Sequence, residues 1–158
     1  MSKDRPPGSR GLTGAPPPQR RGPMAVLIVD PDREAAEYLA APLRRTCIVG
    51  IAATASEAII LLRQRIPDMI LTELNLPDRN GIEFIDSIYR APQTHNVLLL
   101  VVTSRASVHD KIAALKAGAD DYLVKPVPGT QLEVHVQLIS RFRKVIRNDP
   151  RNDHEQDT

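Results

Sequence analysis

Four polar residues of this 158-residue chain stand where apolar runs stop: Asp30 after Ala25 to Val29, Glu73 after Met69 to Thr72, Thr103 after Val97 to Val102, and Lys125 after Tyr122 to Val124. Two carboxylates, a hydroxyl and an amine from distant parts of a chain can bind a ligand jointly or pair with one another. Each also has a local explanation. Asp30 precedes Pro31, a pairing common at helix starts, where an acid caps and proline takes the first helical position. Thr103 fits a β-branched strand residue that caps the next turn. Glu73 and Lys125 can form a plain structural ion pair, and Tyr122 can be an aromatic at a sheet edge.

The elements that must position these residues are legible from periodicity. The four runs, with a fifth from Cys47 to Ala52, are continuous rather than alternating, as expected of strands covered on both faces. Helical patterns lie between them, which implies right-handed parallel crossovers. The expected fold is therefore α/β: a doubly wound five-stranded parallel sheet with helices on both faces. Helix starts are signalled by Thr54 with Glu57, Asn80 with Glu83, Ser107 with Asp110 and Thr130 with Glu133, all at or near capping-box spacing. Gly118 is placed to end the fourth helix with a positive φ. Parallel strands put their carboxyl ends on one edge, where open α/β folds bind ligands. Asp30, Glu73, Thr103 and Lys125 all fall on that edge.

Composition bounds the rest. A 42% hydrophobic content is enough for one core, and a formal charge of +2 without a basic stripe gives no reason to expect nucleic acid. Cys47 is the only cysteine, so no internal disulfide can form. No apolar run approaches the roughly 20 residues needed to span a bilayer, so no membrane association is expected and the expected location is cytoplasmic. Residues 1–23, rich in Pro and Gly with five basic residues against Asp4, read as a disordered basic leader. Residues 148–158, with Asp149, Asp153, Glu155 and Asp157 against Arg151, read as an acidic disordered tail. The folded unit is expected at 24–147.

Together these segments resemble the receiver domain of response regulators, a flavodoxin-like fold, over about residues 24–147. VLIVDPD is similar to the family's acidic first-strand end, PDMILTELNLPDRNG to its phosphorylation segment, VVTS to its switch hydroxyl, and AGADDYLVKP to its aromatic and Lys-Pro signature. The thirty residues from Glu73 to Thr103 and the twenty-two from Thr103 to Lys125 fall where the family places them. The resemblance implies that Glu73 occupies the phosphoacceptor position. It makes Asp30 the first of a paired acid set, Thr103 the hydroxyl and Lys125 the amine that contact a phosphoryl group, and Tyr122 the aromatic that switches with Thr103. It also implies a Lys125-Pro126 bond that is often cis.

Two departures alter the implied chemistry. Phosphoryl transfer to a receiver needs an in-line carboxylate, a divalent metal and a cation. Glutamate at 73 sets its carboxylate on the order of 1.5 Å further out than aspartate would, and misplacement by about 1 Å can cost roughly a hundredfold in rate. Pro31 stands where the second acid belongs and brings no side-chain oxygen. Asp32, placed one residue into the first helix, is expected to turn its side chain about 100° away. The remaining metal ligands would be Asp30, Glu73 and the backbone carbonyl of Asn75, so Mg²⁺ binding is expected to be weak or absent, with no other cofactor.

The longer carboxylate should instead reach Lys125 and Thr103 and form a built-in ion pair. Glutamate brings about one negative charge where a phosphoryl group brings roughly −1.5 to −2. The expectation is a stand-alone, non-enzymatic signalling module that works without aspartyl phosphorylation. Its partner would be a histidine kinase or an output protein, and a homodimer could form through the fourth helix, fifth strand and fifth helix. A working phosphoacceptor that uses Glu73 or another acid with a weakened metal site is the alternative. A flavin-binding domain of similar topology is a third reading, against which stands the lack of a Gly-rich or Ser/Thr-rich phosphate loop after the first strand.

Overall fold

The computed structural model describes residues 22–147, with side chains through Arg141. Apart from residues 22 and 23, the expected leader lies outside the described residues, as do the acidic tail and the side chains after Arg141. The elements run β1 (Met24–Val29), α1 (Arg33–Leu43), β2 (Cys47–Ala52), α2 (Ala55–Gln64), β3 (Met69–Thr72), α3 (Gly81–Arg90), β4 (Leu98–Thr103), α4 (Val108–Ala117), β5 (Asp121–Val124) and α5 (Gly129–Arg147). The strands form one parallel sheet in the order β2-β1-β3-β4-β5. This is the expected doubly wound fold.

Alternation within each strand divides the core into two layers. Leu27, Val29, Ile70, Leu99 and Val101 pack toward α2, α3 and α4, meeting Ala58, Leu62, Phe84, Ile85 and Ala114. Val26, Ile28, Met69, Leu71, Leu100 and Val102 pack the other way, onto Leu39, Ala40 and Leu43 of α1 and Leu132 and Val136 of α5. β1, β3 and β4 are buried along nearly their whole length because both layers cover them. β2, at the sheet edge, alternates between half-buried and exposed until its last residue, Ala52, which is buried.

Helix starts follow local chemistry with two corrections. Thr54, Asn80 and Ser107 cap α2, α3 and α4 through side-chain oxygens that accept from Glu57 N, Ile82 N and Asp110 N. Thr130 does not cap α5. That helix begins at Gly129, with Leu132 N donating to Pro128 O at 3.0 Å, because Val127 and Leu132 both enter the core and the chain must already coil between them. Nor does Asp30 cap α1: Asp32 does, its carboxylate accepting from Glu34 N and Ala35 N. Asp32 therefore lies before the helix, and capping rather than a 100° helical rotation occupies its side chain. Gly118 ends α4 at φ +126°, a conformation open to glycine at little cost.

Candidate functional site

At the carboxyl end of the sheet, β1 and β3 are neighbours, and β4 and β5 follow in order, so the residues just after them converge. Asp30 is 3% exposed, Glu73 6% and Thr103 fully buried, so three polar side chains sit in an apolar setting and must satisfy one another. They do. Lys125 Nζ donates to Asp30 Oδ2 at 2.7 Å and to Glu73 Oε2 at 2.9 Å. Glu73 Oε1 accepts from Thr103 Oγ1 and from Leu74 N at 2.9 Å, with Asn75 N at 3.4 Å. Asp30 Oδ1 accepts from Asp32 N at 2.9 Å.

Burial pushes the Glu73 carboxyl toward the neutral form. The hydrogen bonds from Thr103 and Lys125, the Lys125 charge and the Leu74 amide outweigh it and hold Glu73 below the usual glutamate range. For Lys125 burial again acts first, favouring the neutral amine, and the Asp30 and Glu73 carboxylates overcome it, so its affinity for the proton is raised. The pocket thus holds the Lys125 amine between the side chains of Asp30 and Glu73.

A hydrogen-bonded route leads from this triad to the surface beside α4. Arg105 N donates to Thr103 Oγ1 at 3.2 Å, and the Tyr122 hydroxyl donates to Arg105 O at 2.6 Å. Tyr122 is buried rather than lying open at the sheet edge. The Arg105 side chain is fixed in turn by two bonds to Asp110 in the first turn of α4, at 3.1 and 2.8 Å. The Lys125-Pro126 bond is cis.

All four strand-end residues and Tyr122 are therefore linked, directly or through Arg105. Asn75 is exposed in the β3–α3 loop, paired as a bridge with Asn80, and meets Glu73 only through its amide. Three contributors were not found from the sequence: Arg105, Asp110 and Asp78. Asp78 projects from the β3–α3 loop to the start of α2, where Oδ1 accepts from Ala55 N at 3.0 Å and Oδ2 from Ser56 N at 2.9 Å and Ser56 Oγ at 2.7 Å. The loop itself is closed by Gly81 N donating to Leu74 O. A Cβ at Gly81 would lie 2.4 Å from that oxygen. Only Asp110, three residues after the capping Ser107, carried a signal in the sequence.

Comparison with known proteins agrees with this fold. Residues 26–137 match the family model of the response regulator receiver domain. Among curated relatives, the KDP operon transcriptional regulatory protein KdpE of Escherichia coli is 38% identical over 122 residues, 73% of this chain and 51% of that protein. A 14.6 kDa protein of Leptolyngbya boryana is 30% identical over 120 residues, 75% of this chain and 89% of that one. The chain thus spans about half the length of KdpE and most of the Leptolyngbya protein. A CheY-like receiver domain protein from Methanospirillum hungatei superposes with TM-score 0.70 at 28% identity, covering 78% of this chain and 98% of that chain. The chemotaxis response regulator CheY4 of Vibrio cholerae superposes with TM-score 0.70 at 25% identity, covering 74% and 98%.

Proposed function

The chain belongs to the response regulator receiver domain family, and from that membership we propose that it is a two-component signalling module whose switch is set by Glu73 rather than by aspartyl phosphorylation. The observation that carries this is the hydrogen bond from Thr103 to Glu73 Oε1, made while Lys125 holds Oε2. A side chain of the protein thereby engages the hydroxyl and the amine that would otherwise receive a phosphoryl group. Through Arg105 the same carboxylate supports the buried position of Tyr122.

The residues around Asp30 do not fit a divalent cation. Pro31 offers no side-chain oxygen, Asp32 is engaged in capping α1, and both carboxylates of the triad already accept from protein donors. A hard ion would have to displace the Lys125 ammonium from between them. No group of three or more His, Cys, Asp or Glu suited to a metal occurs among the described residues.

Output in this reading is by protein contact, with a histidine kinase or an output protein as partner. The α4-β5-α5 face supports it: Val108, Ile112, Leu115, Val124, Val134 and Leu138 are large apolar side chains left exposed there. Tyr122 and the Arg105-Asp110 pair connect that face to the triad.

Incubation of the full chain with acetyl phosphate and Mg²⁺, followed by intact-mass measurement, tests the proposal. No phosphoryl adduct is expected. A stoichiometric adduct that disappears in Glu73→Gln would establish the phosphoacceptor alternative instead.

A further inference from the structure

We propose that the outer edge of β2 is a self-association surface, on which two copies of the chain pair β2 to β2, antiparallel, about a two-fold axis at Val49. The two sheets would then join as one of ten strands. The proposal does not depend on the reading of Glu73.

β2 ends the strand order, and among the described residues no strand lies on its outer side. Ala52 O accepts from Asp30 N, so the backbone groups of Ala52, Gly50 and Ile48 face β1. By strand alternation, those of Cys47, Val49 and Ile51 face outward with no ladder partner. Sheet edges are ordinarily shielded by charge, proline or a bulge. The stretch Cys47–Ala52, CIVGIA, has no charge and no proline, whereas β5 at the opposite edge opens with Asp121.

Two side-chain features select a second copy as the occupant. Nothing in the chain's own fold calls for glycine at 50: its φ is not positive, and an added Cβ would meet only Leu27 Cδ1, at an ordinary 3.7 Å. Ile48, two residues away on the same face, is 47% exposed. In antiparallel pairing centred on Val49, Ile48 of each copy lies opposite Gly50 of the other, in the closer, non-hydrogen-bonded kind of pair. The bare glycine makes room for the isoleucine, and the two-fold makes this fit twice.

Charge agrees with the same register. Arg45 of one copy falls opposite Ala53 of the other, whose amide donates to Glu57 Oε2 at 3.0 Å. The Glu57 carboxylate is therefore held where an opposing Arg45 would arrive, and Arg45 has no acidic partner among the described residues. A self-complementary edge of this kind closes as a dimer instead of propagating.

Sedimentation velocity of the full chain from roughly 1 to 500 μM reads the association, a range suited to a small interface. A reversible dimer is expected. Arg45→Glu should weaken it at least about tenfold, Arg45→Glu with Glu57→Arg should restore it, and Gly50→Val should weaken it with unchanged circular dichroism. Val49→Cys in a Cys47→Ser background should give a disulfide-linked dimer under mild oxidation, since residue 49 meets itself across the axis at a Cα separation of about 5.5 Å. The native Cys47 should not cross-link, as its two copies would lie about 14 Å apart. A monomer throughout the range would overturn the proposal. So would a dimer indifferent to Arg45→Glu, one that charge reversal fails to restore, or one abolished by Leu138→Asp on the α4-β5-α5 face.

Discussion

The Lys125 ammonium lies 2.9 Å from Glu73 Oε2 and at the same time 2.7 Å from Asp30 Oδ2, so a single amine is shared by two acidic side chains that are almost wholly buried. Removing it leaves both uncompensated. Lys125→Met should cost about 3 kcal/mol, the lower end for a broken buried pair, because 23% of the lysine side chain remains open to solvent. Glu73→Gln should cost less, about 1–2 kcal/mol, since Lys125 keeps Asp30. The double variant should be less destabilised than the sum of the two single variants. Urea denaturation of the three proteins measures all of this.

Restoring the acids should restore phosphoryl transfer only in combination. Glu73→Asp withdraws the carboxylate from Thr103 but leaves position 31 without a side-chain oxygen, so reaction with acetyl phosphate should stay slow. Glu73→Asp with Pro31→Asp should bind Mg²⁺ and gain one phosphoryl group, followed by intact mass against time. A single variant that reacts as fast as the double would refute the assigned cost of Pro31.

Stability should respond to pH at both ends. Glu73 titrates below its unfolded value of 4.5, so its contribution is complete above that pH and is lost as pH falls through the lowered folded value. Lys125 titrates above 10.5, so its contribution is complete below that pH and is lost as pH rises through the folded value. Thermal unfolding followed from acid to neutral pH should therefore show a decline below 4.5 that is shallower in Glu73→Gln.

Asp78 should hold the first turn of α2. Its bonds from the Ser56 hydroxyl and amide bring its carboxyl down to about 2, so they survive until strongly acid pH. Asp78→Ala should accelerate amide hydrogen exchange at Ala55 and Ser56 while leaving β1 and β4 protected. Uniform acceleration across the sheet would instead mark a global loss of stability.

Much of the fold was legible because its signals are local. Continuous apolar runs marked all five strands to within about one residue. Thr54, Asn80 and Ser107 announced their helices because a capping oxygen acts within three residues of itself. Thr130 misled for the same reason: the spacing was present, but burial of Val127 and Leu132 started the helix earlier. At Asp30 and Asp32 two acids competed for one cap, and spacing could not rank them; the demand of Lys125 on Asp30 goes with the cap falling to Asp32.

By itself the sequence determined the strand-end chemistry of this protein, because a parallel sheet delivers the residue after each strand to one edge, whatever the packing elsewhere. It determined likewise that position 73 carries the longer acid and position 31 no acid at all. Only the tertiary structure decided how those groups divide their hydrogen bonds, that Arg105 links Thr103 to Tyr122, and that Asp78 reaches across twenty-two residues to α2. These contacts depend on which elements become neighbours and on which oxygen faces which donor. That is settled when the two apolar layers pack, since only then do distant backbone and side-chain groups lose water and have to find one another.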